Sequence, residues 1–216
     1  MKYKAILWDL DGTLLYTLQD LRDAVAHALT AYNLPERSLT EVRAMVGNGI
    51  RNLIERAVPA GTDPAVTEAV FAEFRTYYAK HCSDTTAPYE GIPELLAELS
   101  QAGIRSAIVS NKADFATRDL AVRHFGDLVA LAVGAREDMP KKPAPDMIFY
   151  TLSELGVSPK EAVYIGDSEV DVQTAKNASL AGIFVNWGFR DEAELVAAGA
   201  ERIVSSPSGL REILLG

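Results

Sequence analysis

The chain is predicted to be an α/β protein, a doubly wound parallel sheet interrupted after its first strand by an all-helical insertion. Three observations predict this. From Gly91 onward strand-type and helix-type apolar patterns alternate, and between about Leu18 and Cys82 the periodicity is helical throughout. In addition, three strand-type runs far apart each end in a polar cluster: Asp9-Leu10-Asp11-Gly12-Thr13, Ser110-Asn111-Lys112 and Gly166-Asp167-Ser168-Glu169-Val170-Asp171. Alternating strands and helices imply a parallel sheet covered on both faces. Ligands of such sheets bind beyond the carboxyl ends of the strands, where these clusters fall.

The first element is the run Tyr3 to Trp8, whose length suits a strand buried on both faces. Asp9 and Asp11 follow it, and Gly12 lets the backbone turn tightly. Helical periodicity then takes over, with Leu21, Val25, Ala28, Leu29 and Tyr32 on one apolar face and Val70, Phe71, Phe74 and Tyr78 on another. Within this insertion, Gly47-Asn48-Gly49-Ile50-Arg51 interrupts two helical stretches. Two glycines in three residues mark either a helix-helix turn or backbone exposed for close approach. From Gly91 the pattern reads helix over Ile92 to Gln101, strand over Ile104 to Val109, helix over Asp146 to Leu155 and strand over Ala162 to Ile165. A helix over Val170 to Asn177 and a strand over Ile183 to Asn186 follow. The expected division is a core of residues 1–16 and 83–216 and a helical cap of residues 17–82.

Residues two apart on an extended backbone point the same way, so Asp9 and Asp11 are expected to converge on one ligand. Two carboxylates ~4 Å apart repel by about 4 kcal/mol at an effective dielectric of ~20, so the pair calls for a proton or a cation between them. A hard, oxygen-seeking ion such as Mg²⁺ answers that need. The competing reading of Asp-Leu-Asp-Gly-Thr is a surface turn, since Asp-Gly is a common turn dipeptide. Repetition of the strand-then-cluster arrangement at Ser110 and at Asp167, with Lys142 between them, favours a phosphotransfer site.

Composition narrows the partners. A net charge of −9 over 216 residues argues against nucleic acid and anionic membrane surfaces. No apolar stretch approaches the length of a membrane span, and no leader-like segment is read at the N-terminus. Cys82 is the single cysteine, which rules out an internal disulfide and fits a reducing, cytoplasmic setting. The expected partner is a small phosphorylated metabolite, with the protein a monomer or homodimer. At 48% hydrophobic residues, the chain suffices for one sizeable core and a smaller unit.

These motifs, in this order and over essentially the whole chain, resemble those of the haloacid-dehalogenase-like phosphohydrolases, within them the phosphoglycolate-phosphatase-like branch. The resemblance implies a Rossmann-like core and a covalent mechanism. Asp9 would be the nucleophile that becomes an aspartyl-phosphate. Asp11 would protonate the leaving oxygen and then activate water. Ser110 would hydrogen-bond the transferring phosphoryl, helped by the backbone around Gly12, Thr13 and Asn111. Lys142, which directly precedes a proline, would offset charge on the phosphoryl and the nucleophile; its neighbour Lys141 would be solvated. Asp167 would complete the Mg²⁺ site with Asp9 and the backbone carbonyl of Asp11. Ser168 and Asp171 would orient that site from behind, the alternative for Asp171 being a first-turn carboxylate that complements the helix dipole. In the cap, Gly47, Asn48, Gly49 and Arg51 would meet the substrate, with Arg43 the alternative to Arg51.

One departure stands out: Tyr16 occupies a position where the family usually has Asp, close to the leaving group, and this bears on substrate identity. Within the fold, a dehalogenase would lack Asp11, and a phosphonate hydrolase would need a cap lysine, whereas no lysine lies between Thr17 and Ala79. A phosphomutase shares the core residues. From another class, a receiver-like domain or a silenced module that senses phosphate or metal without turnover would use a similar acidic cluster and lysine.

Overall fold

The computed structural model describes residues 3–47 and 49–216. From the N-terminus, β1 (Ala5–Trp8) and β2 (Leu15–Tyr16) lead into four helices, α1 (Leu18–Ala31), α2 (Leu39–Met45), α3 (Ile50–Ala57) and α4 (Pro64–His81). β3 (Ala87–Pro88) opens the remainder, which continues as α5 (Ile92–Gln101), β4 (Arg105–Ala113), α6 (Asp114–Phe125), β5 (Leu131–Ala135) and α7 (Asp146–Leu155). β6 (Ala162–Gly166), α8 (Glu169–Asn177), β7 (Ala181–Val185), α9 (Glu192–Ala197), β8 (Ile203–Val204) and α10 (Pro207–Leu215) complete it. Two compact units result, one formed by Met1–Leu15 with Pro88–Gly216 and the other by Tyr16–Ala87.

In the first unit six strands form a parallel sheet in the order β5-β4-β1-β6-β7-β8. Strand periodicity explains why both faces are apolar. Ile6, Trp8, Ile108, Val163, Ile165, Ile183 and Val185 face one side, where α5, α6 and α10 supply Leu96, Leu120 and Leu210. The alternate residues Ala5, Leu7, Ala107, Val109, Tyr164 and Phe184 face the other, covered by Ile148 and Leu152 of α7, Val172 of α8 and Leu195 of α9. β1 lies at the centre, between β4 and β6, so the ends of these three strands are neighbours. That adjacency gathers the three polar clusters.

Three strands, β4, β5 and β8, depart from the sequence reading. β4 continues through Ser110, Asn111 and Lys112 to Ala113, with an irregular register against β5 between Val109 and Ala113, so its polar cluster belongs to the strand itself. β5 and β8 are short strands, of five and two residues, that the sequence pattern does not pick out. Gly134 in β5 is required by crowding, since a Cβ there would lie 2.5 Å from the Asp114 Cα.

The helical unit buries Leu21, Val25, Ala28 and Leu29 of α1 together with Val70, Phe74 and Tyr78 of α4. Tyr32 and Phe71, expected on those faces, lie outside the core. Tyr32 is the exposed C-cap of α1, and Phe71 lies beneath the Arg51 guanidinium at 4.3 Å. The segment after α4 stays with this unit through Asp20. One carboxylate oxygen accepts the Thr85 N–H (2.9 Å) and hydroxyl (2.5 Å), and the other accepts the Thr86 N–H (3.0 Å) and hydroxyl (2.7 Å).

Candidate active site

Asp9 is the first residue past β1; its N–H still donates to Ile165 O (2.8 Å), which sets it at the strand end beside β6. Its side chain meets Lys142 Nζ at 2.8 Å. The same ammonium donates to Asp171 Oδ1 and to the Tyr164 hydroxyl, each at 2.8 Å, so its three protons are all placed. Tyr164 donates onward to Asp171 Oδ1 at 2.8 Å. The other oxygen of Asp171 accepts the N–H groups of Asp167 (3.2 Å) and Ser168 (3.0 Å) and the Ser168 hydroxyl (2.6 Å). Five donors therefore occupy Asp171. It caps α8 and holds Lys142 at once, which unites the two roles between which the sequence left a choice.

Asp167 follows β6 and is buried. Its Oδ1 accepts the Thr13 hydroxyl at 3.1 Å, and its Oδ2 accepts the Phe189 N–H at 2.7 Å. Ligand oxygens of Asp9, Asp167 and Asp171 lie within 4.8 Å of one another. Three carboxylates around one ammonium leave two negative charges to balance in a buried setting. Burial pushes Asp9 up; Lys142 opposes this, Asp171 and Asp11 add to it, and the carboxyl titrates at about 7. Burial likewise raises Asp167, reinforced by the charges of Asp171 and Asp9. Asp171 behaves oppositely: burial would raise it, but Lys142 and the hydrogen bonds from Lys142, Ser168 and Tyr164 hold it below the ordinary Asp value. For Lys142, burial is outweighed by Asp171 and Asp9, and the ammonium is retained well above its usual range. An all-oxygen donor set with two negative charges in excess fits a hard divalent cation.

Other expected residues fall differently. Asp11 lies near enough to Asp9 for its charge to raise that carboxyl. The Asp11 carboxylate also accepts from Lys112 Nζ at 3.0 Å, a buried lysine that stood unused in the Ser110-Asn111-Lys112 cluster. Gly12 and Thr13 are engaged within their own turn, Gly12 N–H on Leu15 O (2.9 Å) and Thr13 N–H on Leu10 O (3.3 Å). Those two amides are thus used by the backbone rather than offered to an anion, and Thr13 contributes its hydroxyl to Asp167. The Ser110 hydroxyl oxygen accepts the Lys112 N–H at 3.2 Å, and Asn111 Nδ2 donates to Lys142 O at 3.0 Å, which ties β4 to the lysine loop.

Gly47, Gly49 and Arg51 belong to the helical unit, and Asn48 lies outside the described residues. Gly49 is the N-cap of α3 at φ +86°, a left-handed backbone that only glycine adopts readily. Arg51 pairs with Glu68 of α4 and lies over Phe71. Sequence reasoning missed Lys112, Tyr164 and the residues after β7. Tyr164 was hidden inside an apolar strand run, where a phenol reads as core.

Acidic strand ends bridged by a buried lysine, on a doubly wound sheet, are suited to enzymes that work on phosphate esters. A family model described as haloacid dehalogenase-like hydrolase matches residues 6–185, and the chain belongs to that family. It is 31% identical over 216 residues to the N-acetylmuramic acid 6-phosphate phosphatase of Pseudomonas aeruginosa, an alignment covering 99% of this chain and 96% of that one. It is 32% identical over 190 residues to the phosphoglycolate phosphatase of Pectobacterium atrosepticum, covering 86% and 81%. A solved structure from Lactobacillus delbrueckii subsp. bulgaricus, provisionally designated a phosphoglycolate phosphatase, superposes with a TM-score of 0.95 at 34% identity, covering 100% of both chains. The protein is a hydrolase of the phosphatase type. Among the described residues, no helix is long and apolar enough to cross a membrane.

Proposed function

We propose that this phosphatase hydrolyses a small, carboxylate-bearing phosphomonoester of the phosphoglycolate type, with Mg²⁺, through an aspartyl-phosphate on Asp9. The observation that carries the reading is the Lys142 ammonium held 2.8 Å from both Asp9 and Asp171. This places a fixed positive charge against the nucleophile, where a phosphate dianion must approach.

An Asp9 oxygen attacks phosphorus, the bond from phosphorus to the ester oxygen breaks, and Asp11 in its acid form delivers a proton to that oxygen. In the second half Asp11 takes a proton from water as the water attacks phosphorus, the acyl-phosphate bond breaks, and Asp9 is regenerated with release of phosphate. Lys142 offsets charge in both halves, and the Ser110 hydroxyl hydrogen-bonds the phosphoryl oxygens. Mg²⁺, held by Asp9, Asp167 and the Asp11 backbone carbonyl, would supply further charge neutralisation. Lys112, paired with Asp11, fixes that carboxyl while it awaits the leaving group.

Both named relatives act on esters that carry a carboxylate. Gly47, Asn48, Gly49 and Arg51 are the proposed contacts in the helical unit. The Arg51–Glu68 pair is exposed and of the kind that contributes little, so exchange of Glu68 for a substrate carboxylate is inexpensive. The test is phosphate release from a panel containing phosphoglycolate, N-acetylmuramic acid 6-phosphate, a neutral sugar phosphate and an aryl phosphate, with and without Mg²⁺. Highest kcat/KM on a carboxylated ester supports the proposal; highest efficiency on the neutral sugar phosphate overturns its substrate class.

A further inference from the structure

The loop that follows β7, Trp187-Gly188-Phe189-Arg190, meets both Asp167 and the Gly12-Thr13 turn. Phe189 N–H donates to Asp167 Oδ2 at 2.7 Å. Trp187 Nε1–H donates to Thr13 O at 3.2 Å, and the hydroxyl of that same Thr13 donates to Asp167 Oδ1. Gly188 is needed for closeness, its φ lying outside the left-handed region. A Cβ there would lie 2.3 Å from Asp167 Oδ2 and 2.3 Å from the Gly12 carbonyl oxygen. A Cβ on Gly12 would meet the same Asp167 oxygen, also at 2.3 Å. The carboxylate thus occupies a slot between two glycine backbones with a donor on each oxygen. Buried Arg190 fastens the loop to the start of α8 through Glu169, at 2.8 and 3.3 Å.

We infer that this loop is a fourth segment of the site, and that Gly188 and the Phe189 amide are positioning groups that set the Asp167 carboxylate in the orientation in which it takes a divalent cation. The inference rests on the reading of Asp167 as a metal ligand. Partners behind a metal ligand typically govern affinity by about ten- to a hundredfold, because a ligand that must be reoriented binds less well. Trp187 extends the same constraint to the nucleophile turn, so one loop registers Asp167 against Thr13.

The experiment is a Mg²⁺ titration of the full chain, read by calorimetry and by the shift in thermal unfolding, alongside kcat at limiting and at saturating Mg²⁺. The variants are Asp167→Ala, Gly188→Ala, and a chain carrying phenyllactate at position 189, an ester that lacks only the N–H. Gly188→Ala and the ester are expected to raise the half-saturating Mg²⁺ concentration by about tenfold or more, with kcat recovering toward wild type at saturating metal. Should Gly188→Ala fail to fold, the ester alone decides. Unchanged Mg²⁺ affinity in Asp167→Ala overturns the metal-ligand reading and the inference with it. Weakened affinity in Asp167→Ala, with wild-type affinity in the folded loop variants, overturns the inference alone and leaves the loop a packing element.

Discussion

Lys142 and Asp171 form an ion pair with Nζ and Oδ1 2.8 Å apart, in which neither side chain is more than 2% exposed. Both partners are otherwise fully hydrogen-bonded, the lysine to Asp9 and Tyr164 and the aspartate to Ser168 and the backbone of the β6–α8 turn. A buried pair of this kind contributes mainly through the cost of breaking it.

Lys142→Met is therefore expected to abolish phosphatase activity and to lower unfolding stability by about 3–5 kcal/mol, since Asp9 and Asp171 are left without their counter-ion. The loss should be smaller in acid, where the two carboxyls protonate. Urea denaturation of the variant at about pH 5 and about pH 8 checks this, and equal losses at both would show that the charge is not what Lys142 supplies.

Asp9→Asn should eliminate steady-state turnover while the fold is kept, because the amide lacks the nucleophilic oxygen. Rapid quenching of wild type during turnover should trap an acid-stable phosphoryl group on the peptide containing Asp9. Its appearance on Asp11 would reverse the assigned roles.

Metal binding should track the titration of Asp9. Its carboxyl, ordinarily near 3.8, is raised to about 7 in the folded, metal-free protein. The folded state therefore holds a proton that the unfolded state gives up, a contribution to stability present below the ordinary value and lost as pH rises through about 7. Mg²⁺ competes for the same oxygen, so its apparent affinity should rise by about tenfold per pH unit below that point and level off above it. Calorimetric titrations from about pH 5.5 to about pH 8.5 measure the slope, and a flat profile would remove Asp9 from the metal site.

Asp20→Ala should destabilise the helical unit by about 2–4 kcal/mol, because the amides and hydroxyls of Thr85 and Thr86 lose a charged acceptor. Amide hydrogen exchange at those two residues should accelerate more than at the β1 strand. Uniform acceleration would mean that the clasp is not local.

The sheet was legible because burial on both faces writes uninterrupted apolar runs, and α5 and α7 fall at Ile92–Gln101 and Asp146–Leu155 as their periodicity indicates. β5 escaped notice because it is only five residues long and contains Gly134, whose role is steric and local to α6. In the site, residue types and their strand-end placement could be read, whereas partnerships could not. Asp11 was read only in relation to Asp9, and its ion pair with Lys112, 101 residues further along the chain, could not be read from the spacing. Gly188 carries no sequence signal at all, since what it must avoid is an oxygen 21 residues earlier in the chain.

The helical unit leaves and rejoins the sheet-bearing unit through β2 and β3, two-residue strands that pair with each other. The chain thus departs and returns at neighbouring points, and the intervening segment is, to the core, a single loop whose ends are already closed. Closure entropy grows slowly with length, by about 0.6 kcal/mol per doubling, so the core is nearly indifferent to how many residues that loop contains. A chimera carrying a relative's segment between Tyr16 and Ala87 is accordingly expected to keep the sheet, and under the proposed substrate contacts of Gly47, Asn48, Gly49 and Arg51 it would take on that relative's substrate preference. The nucleophile, lysine and acidic cluster, all encoded outside it, would be inherited unchanged.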